Sequence, residues 1–111
     1  MERSKFNIIV RERIDSINTS LIIKGNEYAP QGDRLGNFKC GGVFNHETPE
    51  RYLLGLVSKH IIALRDFIYE LDTGGTTRDK SQWDEKIGDI INYMILLEGL
   101  LADRSLNANN E

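Results

Sequence analysis

Between residues 48 and 101 the chain carries two long segments of helical apolar spacing, separated only by the polar stretch 72–80, and nothing else in it constrains the fold so strongly. Two long helices joined by so short a link fold back on each other as an antiparallel hairpin. Thr48-Pro49-Glu50 opens the first as N-cap, first helical residue and dipole-favourable acid, and Gly74-Gly75 closes it. The apolar residues of this helix, among them Leu53, Leu54, Val57, Ile61, Ile62, Leu64, Phe67, Ile68 and Leu71, occupy more than half its circumference. Packing on several sides, or against another subunit, is the expectation. Ser81, with Asp84 three residues later, reads as a capping box opening the second helix, whose seam is Trp83, Ile87, Ile90, Met94, Leu97 and Leu101.

Upstream, Phe6, Val10, Ile14, Ile17 and Leu21 recur at helical spacing and predict a helix over 3–24, with Gly25-Asn26 as its stop. Pro30, Gly32, Gly36, Gly41 and Gly42 make the following region the least regular, with room for a short helix over 33–39. No run alternates with the period of two that a half-buried strand requires. The fold class is therefore all-α: three long helices plus a short helix or ordered loop, forming a single domain over 1–103 with a disordered polar tail over 104–111. A net charge of −3 argues against a dedicated duplex-DNA binder, and the lone Cys40 gives neither an internal disulfide nor a multi-cysteine metal site. No stretch approaches the roughly 20 apolar residues that span a bilayer. No membrane partner and a cytoplasmic location are the expectations.

Three constellations could carry chemistry. Lys24, Asn26, Glu27 and Tyr28 offer a cation, an amide, an acid and an aromatic face, a set suited to a base or sugar; a helix cap followed by a packed tyrosine explains them as well. In the run that also holds Asn37, Arg34 and Lys39 could meet phosphate oxygens and Gly36 permits close approach; a charged surface turn explains them equally well, and the spacing matches neither a P-loop nor a dinucleotide fingerprint. On the hairpin, Lys59-His60 faces a polar line, Glu85, Asp89 and Asn92, that runs at i, i+4 and i+7 along the second helix. Antiparallel pairing brings the two levels together, so that acid and base meet inside the hairpin. A core histidine with a satisfied partner is the commoner outcome for a residue in the position of His60.

Taken together, Lys24-Gly25-Asn26-Glu27-Tyr28, Arg34-Leu35-Gly36-Asn37-Phe38, Thr48-Pro49-Glu50, Lys59-His60 and the run from Trp83 through Asp89 and Asn92 to Tyr93 resemble small helical proteins of bacteriophages. Those proteins look related to the MazG-like, all-α nucleoside triphosphate pyrophosphatase group. The resemblance implies an intertwined helical oligomer with Mg²⁺ held by an EExxE motif on one helix and ExxD on the next. Lys86-Ile87-Gly88-Asp89 aligns with ExxD, which puts Asp89 at a metal-ligand position and a lysine in place of the acid. Where paired glutamates belong, this chain has Ser58-Lys59-His60-Ile61-Ile62. Mg²⁺ prefers hard oxygen ligands, and a lysine repels it.

The resulting expectation is a phage-encoded, homo-oligomeric protein that binds a nucleotide or a nucleotide-derived molecule without hydrolysing it. Sequestration of a nucleotide signal of host antiviral defence is one biological form of that reading. Its ligand-binding residues would be Lys24, Asn26, Tyr28, Arg34, Asn37, Lys59, His60, Asp89 and Asn92. The alternative is a Mg²⁺-dependent (d)NTP pyrophosphatase using Glu27, Glu85 and Asp89, with Glu85 and Asp89 on the metal. A structural or protein-binding helical module, with the Glu85–Asn92 line as an internal network, is the third.

Overall fold

The computed structural model describes the backbone of residues 1–28, 32–75 and 78–110, and the side chains of these residues apart from Glu27, Tyr28 and 107–110. Every regular element among them is helical, with no strand. In order they are α1 Arg3–Ile17, a π-helical segment Asn18–Ile23, α2 Lys24–Tyr28, α3 Gly36–Phe44, α4 Pro49–Asp72 and α5 Lys80–Asn110. Contacts divide the chain into two compact units, Met1–Arg34 and Leu35–Glu111. The division falls inside the stretch expected to form one domain.

In the larger unit, α4 and α5 form the antiparallel hairpin read from the sequence. Its pairing is fixed at three levels: Glu50 with Arg104 at one end, His60 with Asp89 in the middle, and the Phe67 ring against Trp83 at the other, edge-on at 5.4 Å. Arg78 closes the Trp83 end, its guanidinium 4.2 Å from the centre of the Phe67 ring and donating to both carboxylate oxygens of Glu70 at 2.9 and 3.0 Å. That fork holds the Glu70 carboxyl below its ordinary pKa. Phe38, Leu53, Val57 and Leu100 form the buried core, with Leu56, Ile90, Tyr93, Leu96 and Leu97 packed against it.

The buried seam of α5 therefore differs from the one read off the sequence. Ile90 and Leu97 stay in it, but Leu100 replaces Leu101, while Ile87 and Met94 lie more than a third exposed. The cause is the partner: α3 packs on the same hairpin, and the face shared by α3 and α4 runs through Tyr93, Leu96 and Leu100.

Several boundaries also differ, each for a local reason. Thr48 caps α4 as expected, its Oγ1 accepting from Arg51 N–H at 3.1 Å, and Gly74 ends that helix with φ +70° as Gly75 N–H reaches back to Glu70 O at 3.0 Å. The box opening α5 is two residues earlier than Ser81. Asp79 Oδ1 accepts from Gln82 N–H at 2.9 Å and Gln82 Oε1 accepts from Asp79 N–H at 3.0 Å, so aspartate and glutamine form the reciprocal pair. Ser81 Oγ donates to the same Asp79 oxygen at 2.7 Å and, with the Gln82 N–H, depresses the Asp79 pKa. At its far end α5 does not stop near Asp103; it runs to Asn110, and Arg104 in the expected tail is bound to Glu50.

The glycine pair 41–42 does not break α3. A Cβ on Gly42 would sit 2.8 Å from Glu47 O and 3.0 Å from Pro49 N, so the missing side chain is what lets α3 lie on the backbone leading into α4. His46, at φ +58°, makes the left-handed turn between them.

In the smaller unit the helix likewise continues where a stop was expected. Gly25 lies inside α2, and a Cβ there would meet Arg34 Nε at 2.8 Å. Between α1 and α2 the chain widens into the π-helical segment, at whose start Thr19 Oγ1 donates back to Asp15 O at 3.0 Å. Neither α1 nor the π-helical segment contains a buried residue.

Candidate functional site

Folding α3 across the hairpin leaves an open cavity of about 550 Å³ between α3, the first turns of α4 and the middle of α5. Four rings face it, Phe38 and Phe44 from α3, Tyr52 from α4 and Tyr93 from α5, together with the amides Asn37 and Asn45 and the thiol of Cys40. Gly41 makes this wall possible. Its absent Cβ would stand 2.3 to 2.7 Å from atoms of the Tyr52 ring, so the ring lies directly on the helix backbone. Phe38 and Tyr93 meet edge to face at 6.4 Å, which locks one side of the cavity into the core. Phe44, 86% exposed, stands at the rim. Among the described residues no Lys, Arg, Asp or Glu lines the cavity.

Behind Tyr93 lies the acid–base level of the hairpin. His60 Nδ1 is 3.1 Å from Lys86 Nζ and 3.6 Å from Asp89 Oδ2, and the His60 ring is tilted 39° against Tyr93 at 5.4 Å. An ammonium only donates, so in the shorter contact the acceptor is the ring nitrogen. Burial, then the Asp89 charge and Tyr52, pushes the Tyr93 phenol above its ordinary pKa.

The sequence-derived candidates separate along these lines. His60 and Asp89 are brought together, and Asn37 lines the cavity. Asn92 follows on α5, with its Oδ1 buried and without a hydrogen-bond partner. Lys59 and Glu85 are exposed, so the polar line of α5 begins on the surface and only its far end reaches the interior. Lys39 is bound to Asp103 at 2.6 Å. Lys24, Asn26 and Arg34 belong to the smaller unit; Lys24 and Asn26 are exposed, and Arg34 lies against Gly25. The side chains of Glu27 and Tyr28 lie outside the described residues.

Apolar spacing assigns rings such as Phe38, Phe44, Tyr52 and Tyr93 to the core rather than to a site, and Asn45 carries no signal of its own in the sequence. Lys86 was noted only as the replacement for an acid. The usable signal was Gly41: a glycine within a helix, at the level where two tyrosines converge, marks a close approach.

A divalent cation finds no fit here. Among the described residues no group of three or more His, Cys, Asp or Glu side chains is placed to hold a metal ion. Asp89 faces a histidine whose near nitrogen is engaged by a lysine, the opposite of a carboxylate cluster. Comparison with protein-family models, with curated proteins and with solved structures finds no match to this chain. None of the helices among the described residues is long and apolar enough to cross a membrane.

Proposed function

We propose that the larger unit binds a nucleotide or nucleotide-derived molecule through its base, without hydrolysing it. The observation that carries this reading is the lining of the cavity: aromatic faces with two amides and, among the described residues, no charged side chain. A planar heteroaromatic ring stacks on such faces for about 1–3 kcal/mol per base, and an amide satisfies a donor–acceptor edge. The chemistry of the neighbouring cluster supports binding over turnover, since among the described residues no group of three or more His, Cys, Asp or Glu side chains is placed to hold a cation. Pyrophosphate release from (d)NTPs that vanished in Asp89→Ala would reverse this preference.

In the wider form of the reading, the protein belongs to a bacteriophage and sequesters a nucleotide signal of host defence in the host cytoplasm. That form rests on the resemblance to MazG-like phage proteins and on the acids of their metal motif that this chain lacks.

Mass spectrometry of small molecules released from the purified protein, followed by calorimetry against nucleosides, nucleotides and cyclic nucleotides, tests the base site. Phe44→Ala, at an exposed rim, should weaken binding by about five- to ten-fold while leaving the fold intact. Empty protein that binds no member of the panel overturns the reading.

A self-associating helical module is the second reading, favoured by one observation. α1 carries Phe6, Ile8, Ile9, Val10 and Ile14 between 40 and 58% exposed, and a helix of this length that buries nothing is marginal in water. Light scattering that finds only monomers across a wide concentration range overturns it.

A further inference from the structure

α4 carries a second apolar stripe besides the one it buries. Leu54, Ile61, Ile62, Ile68 and Tyr69 are between 45 and 69% exposed. At about 3.6 residues per turn they fall together on the side of α4 turned away from the buried Leu53, Val57 and Phe67. This stripe is symmetric along the helix. Counted outward from the Ile61–Ile62 step, Leu54 and Tyr69 stand at equal distances, Ser58 and Arg65 likewise, and Arg51 and Asp72 mark the two ends. A face of that kind is complementary to its own copy laid across it on a two-fold axis. Charge selects the antiparallel sense. Parallel stacking sets arginine on arginine and aspartate on aspartate, whereas antiparallel stacking brings the exposed Arg51 level with Asp72 of the partner subunit. Lys59, exposed along one edge of the stripe, then comes beside Asp66 of the partner subunit.

We propose that two copies of this chain form a homodimer in which the outer face of α4 packs antiparallel on the same face of the second copy, about a two-fold axis at the Ile61–Ile62 step. The dimer is independent of the base site and of α1. Two details of the stripe fit it. Among the described residues no atom lies within 4 Å of the Cβ position of Gly55, so this glycine, which weakens a helix interior, has no packing reason inside the chain. Across the two-fold axis it leaves room for Tyr69 of the partner subunit. Arg65, a charge inside the stripe, comes level with Ser58 of the partner subunit. Ser58 Oγ donates to Leu54 O at 2.6 Å and so presents its lone pairs to a guanidinium. A single pair of helices buries less than the roughly 1,200 Å² of a standard interface, so a dissociation constant on the order of 10 µM is expected.

Sedimentation equilibrium of the full chain from about 1 to 500 µM, under reducing conditions, reads the association directly. A monomer–dimer equilibrium should appear. Ile61→Lys, at an exposed site, should weaken it about ten-fold or more with the far-UV dichroism unchanged, whereas Ile14→Lys on α1 should leave it as it is. Arg51→Asp should weaken it about two- to three-fold and the added Asp72→Arg should restore it. Both changes suit the helix dipole, an acid in the first turn and a base in the last, so a lost dimer cannot be ascribed to a lost helix. Cross-linking reads the orientation. In a Cys40→Ser background Ile61→Cys should form a disulfide with its own copy on oxidation, because the two-fold axis passes beside it. Leu54→Cys should not, because that axis holds its two copies roughly 20 Å apart along the helices. Monomers at every concentration, or a dimer that ignores Ile61→Lys, overturn the α4 interface. Self-cross-linking of Leu54→Cys, or an Arg51→Asp defect that Asp72→Arg does not repair, overturns the antiparallel pairing.

Discussion

α1 and α4 are both written as apolar helices, yet they end in opposite situations. Along α4, Leu53 and Val57 are sealed at 1 and 0% exposure and Phe67 is buried, whereas α1 has no buried residue at all. The difference lies in what each helix is given to pack on. α4 is followed by a short polar link and an equally long apolar helix, so its inner face is covered by chain connectivity alone, and α3 covers a second side. α1 is followed by the π-helical segment and the short α2 rather than by a second long apolar helix. Apolar periodicity thus specifies a face that needs covering, and connectivity decides whether the same chain covers it.

The sharpest way to break this contrast is a pair of alanine substitutions. Leu53→Ala should lower the stability of the larger unit by about 3 kcal/mol, the loss of a sealed aliphatic side chain plus the cavity it leaves. Ile14→Ala, at a site 58% exposed, should change stability by no more than about 0.5 kcal/mol. Denaturant titrations of both variants at several protein concentrations decide the matter. A cost at Ile14 approaching that at Leu53 and growing with concentration would mean that a second chain covers α1.

How the glycines are used is the next test. In the larger unit Gly42 meets backbone, which cannot swing aside, so Gly42→Ala should cost about 2 kcal/mol despite the better helix propensity of alanine. Gly55, on α4 with nothing within 4 Å of its Cβ position, provides the control: Gly55→Ala should stabilise, by about 0.5–1 kcal/mol. Thermal melts that reversed the two signs would show that α3 does not lie on the α3–α4 turn as described.

These positions also show what the sequence made legible. The all-helical class, the hairpin, the Thr48 cap and the meeting of His60 with Asp89 follow from period, turn residues and antiparallel arithmetic, which are local or nearly so. The cavity was not legible, because it depends on where α3 lands, and a glycine pair inside a helix looks in sequence like a break. Asp79 is not distinguishable as the cap in sequence for a related reason. Aspartate and serine both suit the position, and only the reciprocal bond with Gln82 distinguishes them. The rotation of the α5 seam from Leu101 to Leu100 is a third case, set by α3 rather than by the spacing within α5.

Caps offer a smaller effect on the same helix. Thr48→Ala removes the acceptor for Arg51 N–H at the start of α4 and should cost about 1 kcal/mol. Thr48→Asp should recover most of it, since aspartate accepts the same bond and complements the helix dipole. Urea midpoints of the two variants separate the cap from a general intolerance of substitution at this turn.

The smallest effect is expected at the far end of the hairpin, where Arg104 Nε and Nη2 donate to the two Glu50 oxygens at 2.9 and 2.7 Å. That fork is the largest influence on Glu50 and holds its carboxyl below the ordinary value of 4.5, against the opposing effect of burial. A depressed carboxyl favours the folded state above the pKa of the unfolded chain, and the contribution disappears as pH falls through the folded value. Between neutrality and about pH 5 the pair should therefore be silent, and below pH 4.5 stability should decline. Because Arg104 is 60% exposed, solvent and salt screen the pair, and its loss should be smaller than that of the Thr48 cap. Glu50→Gln should lower stability slightly at pH 7 and flatten the acid limb below pH 4.5. An acid limb unchanged in Glu50→Gln would assign it to other carboxylates, of which Glu70 and Asp79, both depressed, are the first to substitute.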